Sequence, residues 1–207
     1  MLDFLRHVFG WVCGQNPAHT WSPGGELLPV CQRCTGVYSG AFVAALLHLA
    51  WRPAPTPRWL WLNGAFLLFM LPSGFYWFPQ NPELRCASGI LFGFGLVAFL
   101  WLTLPDKFTI YDLRFTSPSD LHGNRVNRKS QIVNDQPPHV SSYKFFAASL
   151  LAALVLTPLL AENGNAAAAA ILIFACIGGA LTLAGLLLVN LFFLLRWLAR
   201  RISTASA

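Results

Sequence analysis

Charge is what this chain has least of. Only 11% of its 207 residues are Asp, Glu, Lys or Arg, where a soluble domain carries roughly 25%. A soluble fold needs polar side chains to cover its surface, and this chain does not have them. The long apolar runs contain no Asp, Glu, Lys or Arg. Ion-coupled transporters and proton pumps place ionisable groups at that depth, so those classes are disfavoured. Also missing are a Ser/His/Asp set, a zinc-protease helix and a phosphate-binding loop, the usual marks of soluble-type hydrolysis. The first twelve residues lack the basic leader, long apolar core and small-residue cleavage site of a secretory signal.

What is present is apolar: 56% hydrophobic residues and a mean hydropathy of +0.54. Five runs, 35–51, 59–78, 86–104, 145–161 and 166–195, predict an all-α integral membrane protein of about five transmembrane helices behind an N-terminal Cys-rich loop. The first run, 17 residues, is at the short limit for a span. The last, 30 residues, reaches about 45 Å and is expected to tilt, kink at Gly178-Gly179 or protrude. Pro72-Ser73-Gly74 predicts a kink or broken last turn in the second run. Gly36-x-x-x-Gly40 and Gly89-x-x-x-Gly93 predict close helix packing. Inside the spans, His48 reads as snorkelling or bonding between helices, and Asn190 as inter-helix glue.

Residues 1–34 read as an interfacial helix and an outer Cys-rich loop, with Leu2, Leu5, Phe9 and Val12 on one helical stripe. Residues 35–104 form a three-helix membrane core. Residues 105–143, the long polar stretch, read as a cytoplasmic loop, and 144–207 as a C-terminal membrane hairpin. Arg6, Arg33 and Arg85 fall on one face, and the other eleven of the 14 Lys and Arg on the opposite one. The positive-inside rule then places the N-terminus outside and the C-terminus in the cytoplasm, in the cell (inner) membrane. The net charge of +6 is read as flanking charge rather than a nucleic-acid surface. The bilayer, and other membrane subunits, are the expected partners. Trp51, Trp59, Trp61, Trp77, Trp101 and Trp197 lie near span ends, as an aromatic belt requires.

The chemistry is concentrated between Cys13 and Gly40. Cys13, His19, Cys31 and Cys34 offer a set of three cysteines and one histidine, and Cys31-x-x-Cys34 is the usual half of a structural zinc site. Cys86 is an alternative fourth ligand. A second reading is redox: a Cys-x-x-Cys pair at a helix N-terminus beside Arg33 is suited to a membrane thiol-disulfide oxidoreductase, with Cys13 or Cys86 as resolving partner. A third is a pair of disulfides, or one disulfide plus free thiols, stapling an outer loop. Arg33 and Arg85 are expected to contact outer-face carbonyls or lipid phosphates, and Cys176 reads as a small packing residue. The reading favoured on these residues is a scaffold or accessory subunit with a metal site ordering its loop.

The segment containing Pro29, Cys31, Arg33, Cys34, Gly36, Tyr38 and Gly40, with Cys13 and Gln15 upstream, resembles the PxCxRCxGxYxG signature of a family of small bacterial and archaeal membrane proteins of unknown function. Asn81, Arg85, Gly89 and Gly93 resemble a second element of it. The resemblance covers about residues 13–104. It implies an integral membrane protein with an extracytoplasmic or interfacial cysteine site, and no particular reaction. Where the family has His after the first Cys this chain has Gly14, and where it has Asp-Gly in the second span this chain has Ser73-Gly74.

Overall fold

The computed structural model describes residues 2–50, 57–77, 79–102 and 140–205, and all regular structure among them is helical. The elements are α1 (Leu2–Gly10), two single-turn 3₁₀ helices (Pro17–His19 and Pro23–Gly25), α2 (Gln32–Ala50), α3 (Pro57–Gly74), α4 (Pro82–Leu102), α5 (Val140–Glu162) and α6 (Ala166–Ala205). The expected cytoplasmic loop lies outside the described residues, apart from its last four, which already belong to α5. Trp51 lies outside them too.

Among the described residues, three helices are long and apolar enough to cross a membrane, over Pro82–Leu102, Lys144–Glu162 and Ala166–Ala199. The last two carry exposed Leu151, Leu156, Phe174, Leu181 and Leu188 on their outward surfaces, side chains that only lipid or another protein would cover without cost. α2 and α3 are not among the three. The reason is visible in α2, whose Gln32, Thr35, Ser39 and His48 are buried against neighbouring helices. A helix enclosed by protein need not be apolar all round.

The helices run antiparallel along the chain. α2 packs against α4, α5 and α6, and α3 packs against α4. At one end lie the cysteine loop, the α3–α4 connection and the start of α6, where Gly24 abuts Ala166. At the other, the His48 ring lies tilted against Trp59 and Trp101, and Asn190 donates across to the carbonyl of Leu100 (3.1 Å). His48 itself bonds the carbonyl of Ala44 in its own helix (2.7 Å).

The α2–α4 seam is the tightest. A Cβ on Gly36 would overlap the carbonyl of Cys86, and one on Gly89 the carbonyl of Arg33; Gly40 faces Ile90 and Gly93 faces Val37 in the same way. The two GxxxG motifs therefore interleave, backbone on backbone. Buried hydroxyls add bonds between helices: Ser73 to Ser88 (2.9 Å) and Thr157 to Ser39 (3.4 Å).

Two expectations change, and a third narrows: the last run loses the kink and keeps tilt or protrusion. α6 is one unbroken helix of 40 residues, about 60 Å long. Gly178-Gly179 does not interrupt it but lets Phe42 and Tyr38 of α2 approach. Trp59 is not a belt residue: it is 2% exposed and packs edge-on against Phe146, 4.3 Å between ring centroids. Val12 leaves the buried stripe. It lies in the turn after α1 and is exposed, while Phe9 packs on Tyr38 (5.3 Å).

Candidate metal centre

Three sulfurs meet at the N-terminus of α2. The chain leaves α1 in a turn, with the Cys13 amide bonding the carbonyl of Phe9 (2.8 Å), and this buries the Cys13 side chain. Cys31 caps α2: its carbonyl accepts from the amide of Thr35 (2.8 Å) and from the Thr35 hydroxyl (3.1 Å). Cys34 lies in the first turn of the same helix, so the x-x spacing brings both thiols to one face. The ligand atoms of Cys13, Cys31 and Cys34 all lie within 4.8 Å of one another. The amide of Cys31 donates to Sγ of Cys13 (3.3 Å).

The loop between them is held by specific bonds. Gln15, in the left-handed region at φ 44°, donates to the carbonyls of Arg6 and Pro29 (2.6 and 2.9 Å). Arg6 reaches the carbonyl of Leu27 (2.9 Å). The turn at Gly24 and Gly25 (φ 72° and 86°) returns the chain so that Leu28 bonds Trp21 (2.8 Å). Both glycines adopt a φ that a Cβ would disfavour.

The electrostatics favour one ionised sulfur, at Cys31, within the cluster. An α-helix N-terminus is partially positive. The Cys31 thiol is held below its ordinary range, first by the hydrogen bond from Cys13 and then by that from Cys34, against the opposing effect of burial. A thiolate is the form that binds metals and attacks disulfides. Three thiolates on one tetrahedral zinc, at bond lengths of about 2.3 Å, sit about 3.8 Å apart. The observed cluster can therefore hold a metal ion.

The remaining candidates sort differently. His19 is half-buried at the end of the first 3₁₀ turn, its amide bonded to Asn16 (3.0 Å), and its side chain is not among the clustered ligand atoms. Cys86 is fully buried on α4 and also stands apart from the cluster. All five cysteines are free thiols, so the disulfide staple is not the state of this structure. Cys176 is buried against Phe9, Cys13 and Val30, forming the apolar floor of the site. Arg33 donates to the carbonyl of Ser73 (2.9 Å) and to Oε1 of Gln80 (2.7 Å). Arg33 and Arg85 lie 5.9 and 5.4 Å from the ring of Tyr76. Sequence reasoning missed Tyr76 and Gln80, and read Cys176 as a packing residue without placing it beneath the cluster. No local spacing connects them to the motif, and only the α3–α4 connection and α6 bring them near it.

Fold and site together define a helical membrane protein with a three-cysteine cluster at one end of its bundle. The chain belongs to the family described as "Predicted membrane protein (DUF2085)", whose profile matches residues 13–99. That stretch holds all three clustered cysteines and nearly all of α2–α4. The chain is 34% identical over 95 residues to an uncharacterized protein of the archaeon Methanothermobacter thermautotrophicus, covering 42% of this chain and 83% of that relative. No solved structure matches.

Proposed function

We propose that this protein is a five-span membrane scaffold or accessory subunit whose Cys13, Cys31 and Cys34 thiolates hold one structural metal ion, zinc by the softness of the ligands. The observation that carries the reading is the convergence of three sulfurs, from two segments, on one point. Redox exchange needs two sulfurs; a third in the same cluster, with an amide donating to Cys13 Sγ, fits a ligand set better. His19 is the loop imidazole assigned to the fourth position. Closing it there is a loop movement that metal binding would drive, since binding energy is available for folding.

α2 and α3 complete the five spans. At 19 and 18 residues they are about 28 and 27 Å long, close to the hydrocarbon thickness, and they lie alongside α4. With the cysteine end outside, Arg6, Arg33 and Arg85 face outward while Arg58, Lys144 and Arg196 lie at the cytoplasmic end. In this reading residues 1–34 form the outer cap, 35–104 the core and 144–207 the hairpin. The test is metal analysis of the purified chain. About one zinc per chain, lost in Cys31→Ser, supports the site; wild-type protein with well under one metal overturns it.

The runner-up is thiol-disulfide exchange through Cys31 and Cys34. The depressed Cys31 thiol favours it, since a thiolate is the attacking form.

A further inference from the structure

Among the described residues, Arg85 has no counter-charge. It is 9% exposed, and its guanidinium is permanently ionised with five N–H donors. Among the described residues it forms no ion pair and no hydrogen bond through its side chain; its contact is with the face of Tyr76. Glu83, two residues back, is exposed and does not pair with it. Arg33 reaches the same ring, and its Nε is buried without a partner although its Nη2 is bonded. The glycine seam explains why the two arginines are neighbours, since Gly89 lies on the backbone of Arg33 and Gly36 on that of Cys86.

A buried cation without an anion is costly, and the half-buried Arg33 at the same ring adds a second like charge. Three further observations give the place a direction. Arg85 is in the first turn of α4, whose free amides and dipole favour an anion. Tyr76 holds a left-handed backbone, φ 56°, which is uncommon for a bulky residue. Beside it Phe75 and Trp77 are both strongly exposed and stack on each other, 6.4 Å between ring centroids. Exposed aromatics at the end of a bundle mark headgroup depth.

We propose that Arg33, Arg85 and the N-terminus of α4 form a binding site for a phosphate oxyanion, supplied by the headgroup of a phospholipid in the leaflet at the cysteine end. Arginine matches this anion because its planar fork presents paired donors to two oxygens. Tyr76 closes the site from the solvent side. The site adjoins the cysteine cluster through Arg33 but uses none of its sulfurs and needs no metal there.

The experiment uses the full chain, delipidated in detergent. Wild type, Arg85→Gln and Arg85→Lys are titrated with phosphatidylglycerol and, separately, with inorganic phosphate, and binding is read from tryptophan fluorescence and native mass spectrometry. Arg6→Gln is the control, because it removes a cation at the same end of the bundle. Phosphatidylglycerol should bind wild type and Arg6→Gln alike, Arg85→Gln about tenfold to a hundredfold more weakly, and Arg85→Lys in between. Inorganic phosphate binding with the same Arg85 dependence, and no lipid binding, would keep the oxyanion site and overturn the lipid source. Equal affinities of all four proteins for both ligands would overturn the site. Unchanged circular dichroism of Arg85→Lys separates lost binding from lost folding.

Discussion

Gly36 of α2 lies directly on the carbonyl of Cys86 in α4, with no room between them for a single methyl group. The obstacle is backbone, which cannot swing aside as a side chain would. Gly36→Ala should therefore destabilise the bundle by about 1–3 kcal/mol or more, the range for overpacking a tight core. Gly185→Ala, where no atom lies within 4 Å, should be neutral or stabilising by up to about 1 kcal/mol, because Ala is the better helix former. Thermal unfolding of the two variants in one detergent checks the contrast, and equal midpoints would sink the backbone-contact account.

His19 is tested by spectroscopy. In cobalt-loaded protein, His19→Ala should keep the sulfur-to-metal charge-transfer band and lower metal affinity about tenfold or more. Cys13→Ser and Cys34→Ser should both weaken the band. If His19→Ala leaves affinity unchanged, solvent holds the fourth position and the three cysteines stand as the ligand set without it.

Cys31 should be the first thiol to react in metal-stripped protein. Its folded pKa is depressed, so it is largely thiolate at pH 7, whereas an unperturbed thiol with a pKa near about 8.5 is mostly protonated there. Alkylation of Cys31 should thus change little between about pH 6 and pH 8, and that of an ordinary thiol should rise with pH. The same sign holds for stability: the contribution of Cys31 is complete above the unfolded pKa and declines as pH falls toward the folded one. Peptide mapping after brief iodoacetamide treatment reads the order. Reversible appearance of a Cys31–Cys34 disulfide during turnover with a thiol oxidant would instead favour the exchange reading.

Orientation has its own readout. Ser22 is exposed on the cysteine loop. In an otherwise cysteine-free chain, Ser22→Cys should label with an impermeant maleimide in intact cells, and Leu194→Cys, toward the far end of α6, should not. The reverse pattern would invert the topology.

The sequence alone determined the class of molecule. Scarce charge and long apolar runs leave a helical membrane protein, because lipid does not hydrogen-bond a backbone and a helix satisfies its own. The Cys31-x-x-Cys34 spacing and the two GxxxG motifs were legible for the same reason: helical periodicity places residues three and four apart on one face. Relationships between distant segments were not legible. Periodicity could not say that Cys13 joins the pair while His19 and Cys86 stand apart, because that depends on the turn after α1 and on Gln15 clamping the loop. Nor could it show that Trp59 is core rather than belt, since both positions suit a tryptophan at a helix end. Arg33 and Arg85, 52 positions apart, read as two charges on the same face, with nothing to say that they share one ring. Only the interleaved glycines of α2 and α4, which bring two backbones into contact, set those charges side by side beneath Tyr76.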